Sequence, residues 1–311
     1  MTHFAVIDLG SNSARLTVWQ IEDDGTYHVV SRLKEMVRLS EGMGPDKVLQ
    51  EAAMVRTITA LQNFKTDMDQ FEQLSLRAVA TAAVRQAKNQ KDFLKRVKRE
   101  VGIDIEVIAG SKEAEYDYLG VINTLPVQNA LIMDTGGAST ELILVQNRKL
   151  RHLISIPFGS VNLSEQYLNP DVIQATEVFN LIAAVNQIFN GIWWLRQAQN
   201  LPIVALGGSN RTLAKIERRK QQIVNFEDIH GYRMRVPAVD AIFNQVLGSN
   251  LEERKAIPGL SKVRADIIVG GLVPVVTMLG FLDSDRLTFS QNGLREGALF
   301  EYLTQTEQDR K

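Results

Sequence analysis

Apolar positions fall into short alternating runs over the first forty residues. Residues 4–9, 15–21 and 27–39 read as three strands, with a turn at Asp23-Asp24-Gly25. Gly42-Met43-Gly44-Pro45 breaks the pattern. From 47 to 71 the spacing changes, and Leu49, Ala53, Ile58, Leu61 and Phe64 recur at helical intervals. Residues 74–80 are again a strand, leading into a short helix, and 89–101 carry Phe93, Leu94 and Val97 on one helical face. A strand at 103–108 and a helix to 122 complete the first half. The segment 123–129, with Pro126, reads as a domain boundary. The second half repeats the plan and expands it. Apolar runs on either side of residues 134–139 form a hairpin, 149–156 is a third strand, and helices follow at 161–168 and 171–199. A short strand at 203–206, helices to 282, a strand at 286–290 and a terminal helix close the chain. Residues 267–282 are uncharged but short, and hold Pro274 and three glycines, so they read as a buried helix and not as a membrane segment.

The hairpin at the start of each half is the same object. Ile7-Asp8-Leu9-Gly10-Ser11-Asn12-Ser13 aligns without a gap on Met133-Asp134-Thr135-Gly136-Gly137-Ala138-Ser139, at a constant offset of 134 − 8 = 126 residues. Two such hairpins at one offset near half the chain point to a duplicated domain whose halves face each other across a cleft. Each turn is built from small residues that let an anion approach backbone N–H groups. Asp134 and Glu141 bracket the second turn. Two carboxylates beside a phosphate-sized nest are chemically sensible chiefly with a hard divalent cation between them. Gly207-Gly208-Ser209-Asn210 is a further strand–glycine–helix junction, where N–H groups and the helix dipole favour an anion.

Composition then removes alternatives. A chain of 311 residues, 45% hydrophobic and 23% charged, has room for two cores, and its net charge of −1 gives no general attraction to nucleic acid or membrane. There is no cysteine, which excludes disulfides, thiolate catalysis and thiolate-bound zinc. The first strand begins by residue 4, leaving no room for a secretory signal, and a cytoplasmic setting is expected. The sequence contains no GxxxxGK[ST], GxGxxG or GxSxG, and His3, His28, His152 and His230 show no ligand spacing. Phosphate nests and carboxylates remain, hence metal-assisted phosphoryl transfer.

The blocks Asp8-Leu9-Gly10-Ser11-Asn12-Ser13, Ala80-Thr81-Ala82-Ala83-Val84-Arg85, Gly110-Ser111-Lys112-Glu113-Ala114, Asp134-Thr135-Gly136-Gly137-Ala138-Ser139-Thr140-Glu141 and Gly293-Leu294-Arg295-Glu296-Gly297 resemble the exopolyphosphatase / guanosine pentaphosphate phosphatase family. They come in that family's order and cover nearly the whole chain. The family lies in the actin, Hsp70 and sugar kinase superfamily. The resemblance implies an α/β fold of two duplicated actin-like (ribonuclease H-like) domains, each a mixed sheet with flanking helices. We place them at 1–123 and 124–311, the second with helical insertions and a terminal helix able to pack back on the first.

The resemblance further implies hydrolysis of a terminal phosphoryl group from inorganic polyphosphate or guanosine pentaphosphate, with Mg²⁺ or Mn²⁺. By it, Glu113 matches the catalytic base, Asp134 and Glu141 the metal-side carboxylates, and Arg85 the phosphate-binding arginine. Asp8 joins the metal carboxylates by its alignment with Asp134. Gly10, Ser11, Asn12 and Ser13, then Gly136, Gly137, Ala138 and Ser139, then Gly207, Gly208 and Ser209 match the phosphate loops. No nucleic acid or membrane partner is expected, and a homodimer is compatible.

Two positions depart from the family. Lys112 stands where a first Glu is usual, and Ala138 where a third Gly is usual; Ala resists positive φ. Read without the resemblance, Glu113 is equally a helix-N-terminal Glu favoured by the dipole. Lys88, Lys91, Lys95 and Arg99, like Arg211, Lys215, Arg218 and Lys220, read first as solvated faces and second as tracks for a long polyanion. Two other functions fit the same blocks: an actin-superfamily kinase, and a non-catalytic sensor of guanosine tetra- or pentaphosphate.

Overall fold

The computed structural model describes residues 1–309. In chain order it runs β1 (Thr2–Leu9), β2 (Ala14–Ile21), β3 (Tyr27–Glu35), α1 (Glu51–Met68), β4 (Leu74–Ala80), α2 (Ala82–Gln86), α3 (Gln90–Val101), β5 (Glu106–Val107) and α4 (Gly110–Ile122). Then follow β6 (Ala130–Thr135), β7 (Thr140–Gln146), β8 (Lys149–Ile156), α5 (Ser160–Tyr167), α6 (Ala175–Asn190), β9 (Ile203–Leu206) and α7 (Gly208–Lys220). The chain ends with β10 (Arg233–Arg235), α8 (Val236–Leu247), α9 (Leu251–Ala256), α10 (Ile268–Phe281), β11 (Arg286–Phe289) and α11 (Leu294–Asp309). It divides into two compact units, one of Met1–Gly120 with Leu294–Lys311, the other Val121–Gly293. The first crossing lies in the last turn of α4, just ahead of the Pro126 segment, and α11 belongs to the first unit.

The first unit is a five-stranded sheet in the order β3-β2-β1-β4-β5. β1 pairs antiparallel with β2 and parallel with β4. Both faces are covered, so β1 carries apolar residues at successive positions instead of alternating with polar ones. Ala5, Ile7 and Leu9 pack with Leu61 and Phe64 of α1 and Phe93 and Val97 of α3. Phe4 and Val6 point the other way, into a cluster with Trp19, Tyr116 of α4, and Ala298 and Leu299 of α11. Each large side chain so buried contributes about 1.5–3 kcal/mol. Phe4 stacks on Tyr302 with ring centroids 4.1 Å apart.

The second unit has a six-stranded sheet, β10-β11-β9-β6-β7-β8. Read from β8, its first five strands follow the order and directions of the first unit, with β10 added at the far edge. Leu131 and Met133 of β6 face the main core with Leu142, Leu144 and helices α6, α7, α8 and α10. The duplication therefore extends from motif to topology. Both units share the plan of a mixed sheet with flanking helices.

Some boundaries differ from the sequence pattern, for local reasons. The third strand stops at Glu35, because Arg38 takes a left-handed φ of 46° and the chain turns toward the first hairpin loop. The first helix starts at Glu51, since Lys47 has φ 53°. The long helix expected over 171–199 is α6 alone. Gly191 shares its N–H between the carbonyls of Gln187 and Ile188, and a 3-10 turn at Leu195–Ala198 follows. β10 was hidden among helices because three residues carry no period. α10 is buried over most of its length, as its composition implied, and no described helix is long and apolar enough to cross a membrane.

Candidate active site

The two hairpin loops are built by one hydrogen bond. Gly10 N–H donates to the Ser13 carbonyl at 3.1 Å, and Gly136 N–H to the Ser139 carbonyl at 2.9 Å. A Cβ on either glycine would stand 3.2 Å from that oxygen. Two successive carbonyls of each loop are tied down from one side, at positions that differ by one between the two loops. Ser40 and Arg38 N–H groups donate to Ser11 and Asn12 at 2.9 and 3.0 Å. Ser160 and Val161, opening α5, do the same to Gly136 and Gly137 at 2.9 and 2.8 Å. In a trans peptide the N–H points opposite to its carbonyl. The N–H groups of Asn12 and Ser13, and of Gly137 and Ala138, thus point away from those contacts, an arrangement of the kind that anion nests use. Ala138 takes no positive φ, so the departure at this position costs the loop nothing. Asn12 is 6% exposed, and among the described residues its amide nitrogen and oxygen have no hydrogen-bond partner.

Beside these loops the duplicated strands differ in charge. In the second unit Asp134 of β6 lies directly opposite Glu141 of β7, which lies opposite Ser155 of β8. Glu141 is 1% exposed and accepts a hydrogen bond of 2.7 Å from the Ser155 hydroxyl. Like charges directly across a strand pair are destabilising, so this rung favours a cation between them. In the first unit the same rung reads Asp8, Arg15, Lys34. Asp8 is matched there by an arginine at the position equivalent to Glu141. Asp8, with an arginine across from it, thus differs from Asp134, which faces a carboxylate. Among the described residues no three His, Asp or Glu form a metal cluster. A pair of carboxylates suits a hard cation that keeps waters and takes substrate oxygens as its remaining ligands.

Gly207 closes the second unit's site. Its φ is 90°, and a Cβ there would run into the Thr135 carbonyl and stand 2.8 Å from Asp134 Oδ1. Only glycine lets the end of β9 approach the end of β6 so closely. α7 starts at Gly208. Ser209 at its first turn is fully buried, with a hydroxyl that has no partner among the described residues. The Arg264 guanidinium lies flat on Gly208, where any Cβ would collide with it. The segment that carries Arg264 is tied down next to it: fully buried Arg254 donates to the carbonyls of Ala265 and Pro170 at 3.0 and 2.7 Å, and also to that of Asp171.

In the first unit the structure joins Arg85 to Glu113. One guanidinium nitrogen, Arg85 Nη1, donates to the Ile108 carbonyl at 2.9 Å and to Glu113 Oε2 at 3.1 Å. Glu113 sits in the first turn of α4 with its side chain 13% exposed. Lys112 turns away to Glu301 of α11. Of the basic sets, Lys88, Lys91, Lys95 and Arg99 are exposed on or near α3, whereas Lys215 is paired with Glu227, and Arg218 binds the Asn225 carbonyl and covers the Tyr232 ring.

Residues 17–306 match the model of the Ppx/GppA phosphatase family. The chain belongs to that family. It is 28% identical to a putative exopolyphosphatase of Haemophilus influenzae, over 95% of this chain and 90% of that protein. It is 30% identical to a guanosine-5'-triphosphate,3'-diphosphate pyrophosphatase of Vibrio vulnificus, covering 98% of this chain but 60% of the relative. It also matches 46% of a bifunctional 3-dehydroquinate synthase/phosphatase of Fusobacterium nucleatum at 28% identity. The chain thus spans about half the length of some relatives and most of others. Among solved structures, an Aquifex aeolicus family member superposes with a TM-score of 0.80 at 31% identity, covering 100% of this chain and 99% of the other. An exopolyphosphatase from Cytophaga hutchinsonii superposes at 0.91 and 26% identity, covering 97% and 98%. The family is the one the sequence blocks implied.

Two residues of the site were passed over in the sequence. Arg15 aligns with Glu141 at the 126-residue offset, so a basic residue at a duplicated acidic position was a readable signal. Arg264 had none, because its place over Gly208 depends on a long-range turn.

Proposed function

We propose that this chain is a divalent-metal-dependent phosphohydrolase that releases the terminal phosphate of inorganic polyphosphate or guanosine pentaphosphate. The observation that carries this reading is the Asp134–Glu141 rung beside the Gly136–Ser139 loop, since facing carboxylates at an anion site are chemically sensible chiefly with a cation between them. Mg²⁺ or Mn²⁺ held there would supply positive charge to the phosphate oxygens. Within the second unit, the Gly207–Ser209 junction beside Asp134 and the Arg264 guanidinium over Gly208 are the further candidate donors to phosphate. Within the first unit, taken by itself, the candidates are the Gly10–Ser13 loop, Arg85 and Glu113.

Glu113 accepts the proton of the attacking water, and Arg85 binds the terminal phosphate. Because they are paired, an incoming phosphate competes for the guanidinium and turns the carboxylate toward water. The water's oxygen bonds to the terminal phosphorus as the bridging P–O bond breaks, and the shortened chain leaves. This reading goes with a cytoplasmic protein, acting alone or as a homodimer.

Phosphate release from polyphosphate and from guanosine pentaphosphate, assayed side by side with Mg²⁺ and no other nucleotide, tests the proposal. Release is expected with at least one substrate and is expected to be abolished by excess EDTA. Full activity in chelator would remove the metal from the reading. Binding without turnover would indicate a sensor, and phosphate transfer only with ATP and an acceptor would indicate a kinase.

A further inference from the structure

The departure at position 112 is part of a built arrangement. Lys112 Nζ donates to Glu301 Oε1 at 2.5 Å and to Glu115 Oε2 at 3.4 Å, and stands 4.6 Å from the centroid of the Tyr116 ring. Glu301 is a hub. It also accepts from the Tyr116 hydroxyl at 2.9 Å and from Arg77. The side chains of Lys112 and Glu301 are 34% and 21% exposed, so the pair is partly shielded from water. Backbone packing reinforces it: Gly297 of α11 lies so close to the Tyr116 carbonyl that a Cβ would not fit. The first turns of α4, which carry Glu113, are therefore clamped to α11 on one side. On the other side Arg85 fixes the Glu113 carboxylate itself. A general base works only when it is held within hydrogen-bond reach of its proton, and a shift of about 1 Å can cost two orders of magnitude.

We infer that Lys112 is a positioning residue for Glu113: through Glu301 it anchors the α4 N-terminus to the C-terminal helix, and so sets where the base stands. The inference rests on the proposed role of Glu113. Because Lys112 would act only through that carboxylate, its contribution disappears when the carboxylate is gone. A merely structural residue, or one that touches substrate, would contribute either way.

The test is a pair of substitutions measured in two backgrounds, with inorganic polyphosphate and Mg²⁺. In the parent protein, Lys112→Met and, separately, Glu301→Gln are expected to lower kcat about tenfold with KM within about twofold, while Lys112→Arg keeps most of the activity. In Glu113→Gln, assayed in single turnovers at high enzyme concentration, adding Lys112→Met is expected to change the rate by less than about twofold. An equal loss in both backgrounds, or a loss confined to KM, overturns the inference. Should Glu113→Gln itself turn over like the parent, the role of Glu113 is what fails, and the two failures are distinguishable. Thermal melts of each variant separate folding from positioning, because a variant that melts like the parent and still loses kcat has not lost its fold.

Discussion

At the scale of single residues, the Arg85–Glu113 contact governs what mutations at the site should do. Glu113→Gln keeps size and leaves an amide oxygen for Arg85, but removes the basic oxygen. Turnover is expected to fall by roughly 10²–10⁴-fold, the usual worth of a placed base. Substrate affinity should hold or rise, since one negative charge near a polyanion is lost. Glu115, two residues on, is exposed and interacts with Lys112. Glu115→Gln is the control and should cost less than about threefold. Steady-state kinetics of both variants decide it: a dead Glu115→Gln beside an active Glu113→Gln would move the base by two positions. Removing both Arg85 and Glu113 should cost less than the product of the single losses, because paired residues act as one unit.

At the scale of elements, the site is held by close backbone approaches. Gly207 is the clearest. Gly207→Ala forces φ near 90° on a residue with a Cβ and drives it into the Thr135 carbonyl. It should destabilise the protein by about 1–3 kcal/mol and weaken substrate binding, as read by a thermal melt and by KM. Gly280→Ala, on an exposed position of α10 with open space around it, should be neutral or slightly stabilising. Features of this kind mark the limit of what one sequence shows. The hairpins, their duplication and the Asp134–Glu141 pair were legible because each depends on neighbouring residues and a period of two. The placement of Glu113 in a helix was legible too, but its pairing with Arg85 was not, since 28 residues and two elements separate them. The end of α6 was misjudged because apolar residues continue at helical spacing past Gly191, and only the packed 3-10 turn shows that the chain has changed direction.

At the scale of the whole molecule, the two units should answer acid differently. In the first, burial alone would push the Glu301 carboxyl up, but hydrogen bonds from Lys112, Tyr116 and Arg77 outweigh it and hold it below the usual glutamate value. A depressed carboxyl stabilises the fold above its ordinary value of about 4.3, and that stability is lost as pH falls through the lowered value. In the second unit, burial raises Glu217 above that value, against the hydrogen bond from Tyr232. Its charged form is a burden that protonation relieves, so acid favours folding there. Hydrogen exchange followed from pH 6 to pH 3 should show the first unit loosening first. Glu301→Gln should flatten that trend in the first unit, and Glu217→Gln should remove the acid-side relief in the second.

The return of α11 to the first unit also orders events in time. Tyr116 and Leu119 of α4 cover part of the sheet face of Phe4, Val6 and Trp19, but Ala298, Leu299 and Tyr302 complete it, so the face stays partly open while the intervening 173 residues of the second unit are being made. On the ribosome, then, the half begun first is the half finished last. Through that interval the growing chain carries a partly open aromatic surface, a window in which a chaperone has something to hold.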